Sequence, residues 1–174
     1  MEYSTFARQI AAAFVVTMLQ AGVLGTIVTQ NSIGVFFSIT LLIFGSIANQ
    51  IEKYIMKKLA GNVTLFQRPN VPRFGCGDFD ATTIKDTTFG FPSGHAQAVG
   101  FALIFWYMYI KDKKGFYKTS NTQISLMLMI LITILICWSR ILLGCHNWIQ
   151  IITGLIVGML FGKLAYHIYK NSFL

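Results

Sequence analysis

Apolar and polar positions alternate along this chain in blocks far longer than a helical or strand repeat. Apolar runs occupy about 10–29, 33–58, 93–111, 124–143 and 147–169, separated by polar stretches. Each run approaches the roughly 20 residues a helix needs to cross a bilayer. The first is broken only by Gln20 and is rich in Ala and Gly, which suits close contact between helices. The short turn Thr29-Gln30-Asn31-Ser32 makes the first two runs an antiparallel hairpin. Residues 59–92 differ, because they hold all three prolines together with Gly, Thr and Asp. They read as a long surface loop of the kind that carries function. Lys111 to Gln123 is a basic, polar turn, Gly144 is a stop signal, and His146-Asn147 opens the last run. The pattern predicts an all-α, polytopic transmembrane bundle of about five spans, forming a single domain over 1–174.

Composition supports the membrane setting. Of 174 residues, 55% are hydrophobic and only 11% charged, against about 25% charged in soluble domains. Fifteen Phe and seven Tyr suit helices anchored at a lipid interface. The net charge of +8 includes no long basic run, the densest cluster being Lys111-Asp112-Lys113-Lys114. Basic loops beside apolar helices point to anionic headgroups rather than to nucleic acid. The amphipathic tail from Lys163 to Lys170, with His167, reads as an interfacial segment whose lysines snorkel. Cys137 and Cys145 read as packing residues, and three cysteines give no disulfide framework or zinc spacing. The N-terminus does not read as a cleaved signal, since its apolar run is long enough to remain a span.

Five spans place the 59–92 loop and the turn from Arg140 to His146 at one membrane face. Arg68, His95, Arg140 and His146 then all lie at that face, at helix ends within reach of water. Charge does not orient the chain. Arg8, Lys53, Lys57, Lys58, Arg73 and Lys85 flank one face, and Lys111, Lys113, Lys114, Lys118, Lys163 and Lys170 the other. Ionisable groups gathered at one face do not line a crossing path, which argues against a channel.

The densest chemistry lies in Phe89-Gly90-Phe91-Pro92-Ser93-Gly94-His95. Pro92 ends the preceding segment, and Ser93 is a good N-cap whose hydroxyl can accept from a first-turn amide. Gly94 allows close approach to the backbone. His95 falls in the first turn of the next helix, where free amides favour an anion. Arginine forks grip phosphate oxygens. One imidazole can attack phosphorus while a second protonates the departing oxygen. Phosphoryl transfer asks for little beyond positioning and charge neutralisation, so no cofactor or metal is expected.

Arg68-Pro69, Pro92-Ser93-Gly94-His95 and Ser139-Arg140 with His146 just beyond resemble the three-part signature of the type 2 phosphatidic acid phosphatase superfamily. Its members are membrane lipid phosphatases, related to vanadium haloperoxidases. The resemblance covers about residues 58–150. It implies His146 as a nucleophile that becomes a phosphohistidine and His95 as general acid, later activating water. It implies Arg68, Arg140, Ser93 and the Gly94 amide as phosphate holders, with Ser139 as a turn residue. The implied substrate is a lipid phosphate or polyprenyl diphosphate, met at a lumenal or extracytoplasmic face.

Two positions depart from the family pattern. A lysine seven residues before the arginine is replaced by Gly61, with Lys58, three residues earlier, as the candidate substitute. An aspartate four residues after the nucleophile is replaced by Gln150, whose oxygen can accept the imidazole N–H but supplies no charge. A catalytically weakened or inactive member, serving as a lipid-headgroup binder or a structural component of a membrane assembly, is the alternative. Arg73, Lys85, Asp78, Asp80 and Asp86 read as loop residues. The Asn62-Val63-Thr64 glycosylation triplet lies too near the site to be expected in use.

Overall fold

A computed structural model describes residues 32–69, 76, 89–112 and 120–173. The first expected span, 10–29, lies outside the described residues, as do Arg73, Lys85, Asp78, Asp80 and Asp86. Four long helices make up the described part. Helix α1 (Ile33–Ala60) contains a π-helical stretch at Leu42–Ile47. Helix α2 covers Gly94–Asp112, α3 Ser120–Leu142 and α4 Trp148–Phe173. A single 3-10 turn, Thr64–Phe66, follows α1. The expected runs at 33–58, 93–111, 124–143 and 147–169 thus correspond to helices, with no end moving by more than four residues.

Among the described residues, three stretches are long and apolar enough to cross a membrane: Ile33–Ala60, Gln123–Leu142 and Trp148–Phe173. Helix α2 is the enclosed one. Its first nine residues, Gly94 to Ala102, are all buried. It carries His95 and Gln97 among apolar neighbours, and both are shielded by the other helices. Helix α3 instead turns Met127, Leu128, Leu131, Ile134, Leu135 and Trp138 outward, an apolar surface suited to lipid.

Helices α2 and α4 meet along a ladder of glycines. A Cβ at Gly154, Gly158 or Gly162 would strike the carbonyl oxygen of Ser93, Gln97 or Phe101 respectively, and one at Gly100 would lie 2.6 Å from that of Leu155. Steps of four residues on both helices keep the contact in register over more than two turns. Where lipid is as apolar as the helix interior, small residues that let backbones approach are a main source of association. Below this contact, Phe37 and Leu41 of α1, Phe101 and Phe105 of α2, and Ala165 and Tyr166 of α4 form the larger core. Ala96, Val99, Ile136, Cys137 and Ile151 form a second core near the starts of α2 and α4 and the end of α3. At the far end, the Asp112 carboxylate accepts from the Tyr166 hydroxyl (2.7 Å) and the Lys170 ammonium (2.6 Å).

Helix α1 is tied to α2 by buried polar groups. Asn49 Nδ2 donates to Gln97 Oε1 (2.7 Å), and Gln97 Nε2 donates to the Phe44 carbonyl (2.8 Å) in the widened π turn. A Gly158→Ala substitution tests the ladder. At an ordinary helix position this change adds about 1 kcal/mol of helix propensity. Here the new methyl meets the Gln97 carbonyl, and overpacking of this kind costs about 1–3 kcal/mol. The expected outcome is a lowered unfolding midpoint of the detergent-solubilised protein.

Candidate functional site

The site forms where three segments are stitched together at the starts of α2 and α4. Helix α3 ends at Leu142, and Gly144 takes the left-handed conformation (φ 67°) that a helix terminus requires. The reversed chain lets the Arg140 carbonyl accept from both the Cys145 amide (3.0 Å) and the His146 amide (3.2 Å). Asn147 then caps α4, its Oδ1 accepting from the Gln150 amide (3.0 Å). Arg140 and His146 are therefore fixed relative to one another by backbone alone.

Two further segments dock on this corner. The Ser93 amide donates to the Gln150 carbonyl (3.0 Å), setting the first turn of α2, with His95, against the first turn of α4. The segment after α1 is held by Asn147 Nδ2 donating to the Leu65 carbonyl (2.8 Å) and by an antiparallel bridge between Gln67 and Phe89. The Gly90 amide donates to the Phe66 carbonyl (2.9 Å). Gly90 must lack a side chain, because a Cβ there would lie 2.6 Å from Gln150 Oε1 and 3.1 Å from Arg68 Cγ.

His146 sits at the meeting point, 2% exposed. Its Nδ1 lies 2.9 Å from Gln150 Oε1, and its Nε2 lies 3.4 Å from Arg68 Nη1. The Gln150 amide cannot be turned over, because its Nε2 donates to the carbonyls of Leu65 (3.1 Å) and Gln67 (2.8 Å). Oε1 must therefore accept, the imidazole proton sits on Nδ1, and Nε2 keeps its lone pair toward Arg68. Burial lowers the His146 pKa well below the ordinary imidazole range, with the charges of Arg68, Arg140 and Lys53 acting in the same direction. The bond to Gln150 acts the other way and does not overcome them. The ring is neutral at pH 7.

The remaining sequence-predicted residues fall as follows. Arg68 Nη1 also donates to the Cys145 carbonyl (3.1 Å). Arg140 is fully buried, and its Nη2 donates to the Cys76 carbonyl (3.1 Å). His95, Ser93 and Gly94 are all buried at the start of α2. Ser93 does not act as the expected side-chain cap. Its carbonyl accepts the first helical bond from Gln97, while its hydroxyl oxygen finds no hydrogen-bond partner among the described residues. A buried hydroxyl with a donor to spare is suited to an oxyanion. Ser139 Oγ returns to the Ile136 carbonyl (2.7 Å), a local turn bond. Lys58 is exposed, with its ammonium 4.5 Å from the centre of the Tyr54 ring. Lys53, one helical turn and a half earlier, is the ammonium whose charge acts on His146.

The cysteine reading needs correction. Cys145 is not a packing residue, because it forms a disulfide with Cys76, the two Cα atoms being 5.4 Å apart. The pairing was invisible in sequence because the partners are 69 residues apart. Cys137 is buried and unpaired, as expected. The other residues missed were Lys53, Gly90 and Asn147. Asn147 alone carried a local signal, an Asn directly before an apolar helix.

With this geometry in place, comparison with known proteins is direct. The PAP2 superfamily model matches residues 34–174, and the chain belongs to that superfamily. A dolichyldiphosphatase from Saccharomyces cerevisiae (strain ATCC 204508 / S288c) is 28% identical over 130 residues, covering 74% of this chain and 50% of that protein. The chain thus spans about half the length of this curated relative. No solved structure matches.

Two outcomes follow from the His146 contacts. A Gln150→Asp substitution keeps an acceptor for Nδ1 but sets a carboxylate against two carbonyls that have lost their donor. Groups buried without partners cost about 1–3 kcal/mol each, so the variant is expected to unfold at lower temperature than the parent rather than to gain stability. The pH dependence has a definite sign. Below about pH 6.5 the unfolded imidazole binds a proton that the folded one refuses. Stability present above that pH is therefore lost as pH falls toward the depressed folded value. Thermal unfolding followed from pH 7.5 to 5 should show a decline that His146→Gln makes shallower.

Proposed function

We propose that this chain is an integral-membrane phosphatase that hydrolyses a lipid phosphate or diphosphate monoester through a phosphohistidine, without a metal. The observation that carries this reading is the His146 ring, held neutral between Gln150 at Nδ1 and Arg68 at Nε2. A neutral imidazole with its lone pair facing a guanidinium is a nucleophile aimed at the place an anion would occupy.

The reaction runs in two balanced steps. Nε2 of His146 attacks phosphorus as the bond to the leaving oxygen breaks, and protonated His95 gives its proton to that oxygen. Arg68, Arg140, the Ser93 hydroxyl and the Gly94 amide hold the non-bridging oxygens, whose charge spreads in the transition state. Neutral His95 then takes a proton from water, the resulting hydroxide attacks phosphorus, and the P–N bond breaks. His146 returns neutral, His95 protonated, and the net change is hydrolysis. Bound phosphate also offsets the cationic field that depresses His146, so the ring accommodates the positive charge it gains on phosphorylation.

Gln150 divides the work of the usual aspartate. It fixes the tautomer, the function whose loss costs about 10⁴ in rate in the serine protease analogue. It does not neutralise the phosphoimidazolium, and that deficit favours the second reading, a weakened member serving as a headgroup binder or structural component. The face is proposed as lumenal or extracytoplasmic. The Cys76–Cys145 disulfide beside the site supports this, because disulfides persist in oxidising compartments.

The test is phosphate release from phosphatidic acid and from a polyprenyl diphosphate in mixed micelles with EDTA present. Turnover inhibited by vanadate and reduced by at least 10³ in His146→Ala, a loss of about 4 kcal/mol in transition-state stabilisation, is expected. Absence of turnover in the parent protein, with vanadate still bound, supports the headgroup binder instead.

A further inference from the structure

Beside the His146 site, along the last turns of α1, lies an open cleft of about 570 Å³ lined by Gln50, Lys53, Tyr54, Lys57, Lys58 and Phe89. Five of these residues belong to one stripe of the helix, since positions 50, 53, 54, 57 and 58 recur at steps of three and four. The sixth, Phe89, is buried and belongs to the segment that closes the catalytic corner. Phe89 pairs with Gln67, the neighbour of Arg68, and Gly90 packs against Gln150. The cleft and the His146 site therefore share a wall. Lys53 serves both, lining the cleft while its charge reaches the His146 ring.

Three ammonium groups on one side of a cleft recognise a multiply charged anion. Lysine acts as a point charge on phosphate where arginine acts as a fork, and Arg68 and Arg140 act on the His146 ring. Position 61, where the family pattern has a lysine, is Gly61 just beyond the end of α1. In this chain the lysines nearest that end of α1 are Lys57 and Lys58, on its last turn and lining the cleft. The outward faces of Ile51, Ile55 and Leu59 on the same helix offer an apolar flank for a lipid chain.

Building on the phosphatase reading above, we propose that the cleft lined by Lys53, Lys57 and Lys58 binds the second phosphate of a diphosphate substrate. The terminal phosphate occupies the His146 site. When His146 attacks it, the bridging P–O bond breaks, its electron pair stays on the bridging oxygen, that oxygen takes the proton from His95, and the lipid monophosphate leaves with its remaining charge facing the lysines. The cleft thereby makes the chain selective for diphosphates over monophosphates.

The experiment compares the parent protein with Lys53→Met/Lys57→Met, with Lys57→Gln alone, and with Lys163→Met as a control at another surface. One measurement is the ratio of kcat/KM for a polyprenyl diphosphate to that for the corresponding monophosphate. The other, independent of turnover, is the affinity for inorganic pyrophosphate relative to inorganic phosphate, read from thermal stabilisation in detergent. The expected result is that the double variant lowers both the ratio and the pyrophosphate advantage at least tenfold, Lys57→Gln lowers them by a smaller factor, and Lys163→Met changes neither. A ratio and a pyrophosphate advantage that survive in both cleft variants overturn the proposal while leaving the phosphatase reading intact. A pyrophosphate advantage that is lost in the variants of a protein with no turnover keeps the cleft and removes the phosphatase. Lys57 is exposed on the helix surface, so Lys57→Gln gives a folded comparison even if the double variant does not.

Discussion

The side-chain amide of Gln150 is the point on which the site depends. One group accepts from His146 and donates to two carbonyls of the segment that leads into Arg68. Its backbone carbonyl accepts the Ser93 amide at the start of α2. His146, the segment leading into Arg68 and the turn that opens α2 are thus referenced to a single residue one turn into α4. A carboxylate in the same place could hold the histidine but not the carbonyls. The exchange of aspartate for glutamine therefore gives up a charge and adds a structural tie that the charged residue cannot make.

That tie is useful only if the helices beneath it hold still. The glycine ladder brings α2 and α4 close enough for backbone to meet backbone, from Gly154 against Ser93 down to Gly162 against Phe101. The first rung lies directly below the Ser93–Gln150 bond. Close packing in the membrane interior and hydrogen bonding at its surface are therefore one continuous contact. The Cys76–Cys145 link secures the loop side of the same corner, and it places the Cys76 carbonyl where it accepts from Arg140. Arg140 is completely buried, and its fork is partly occupied by that carbonyl.

Much of this was legible in the chain. Long apolar runs and the stop at Gly144 gave the helices, because each is a local property of sequence. His95, His146, Arg68 and Arg140 stood out because titratable and cationic groups at the edges of apolar runs have few other uses. The residues that were missed act through contacts between distant segments. Gly90 matters only because Gln150 comes to lie over it, and Lys53 only because α1 leans toward His146. The contacts of Gly154, Gly158 and Gly162 likewise depend on which helix packs against them. Ser93 was assigned a capping hydroxyl from a local rule. The turn of α2 against α4 satisfies its backbone and leaves the hydroxyl aimed elsewhere.

The central claim is chemical and names one atom. If Gln150 fixes the imidazole proton on Nδ1, then phosphate can be received only on Nε2 of His146. The direct test is to quench the enzyme at alkaline pH during turnover of a labelled lipid phosphate or diphosphate, map the phosphorylated peptide, and identify the isomer by phosphorus NMR. The expected result is phosphate on Nε2 of His146 and on no other residue. Label on Nδ1, label on His95, or turnover with no phosphohistidine at all contradicts the account.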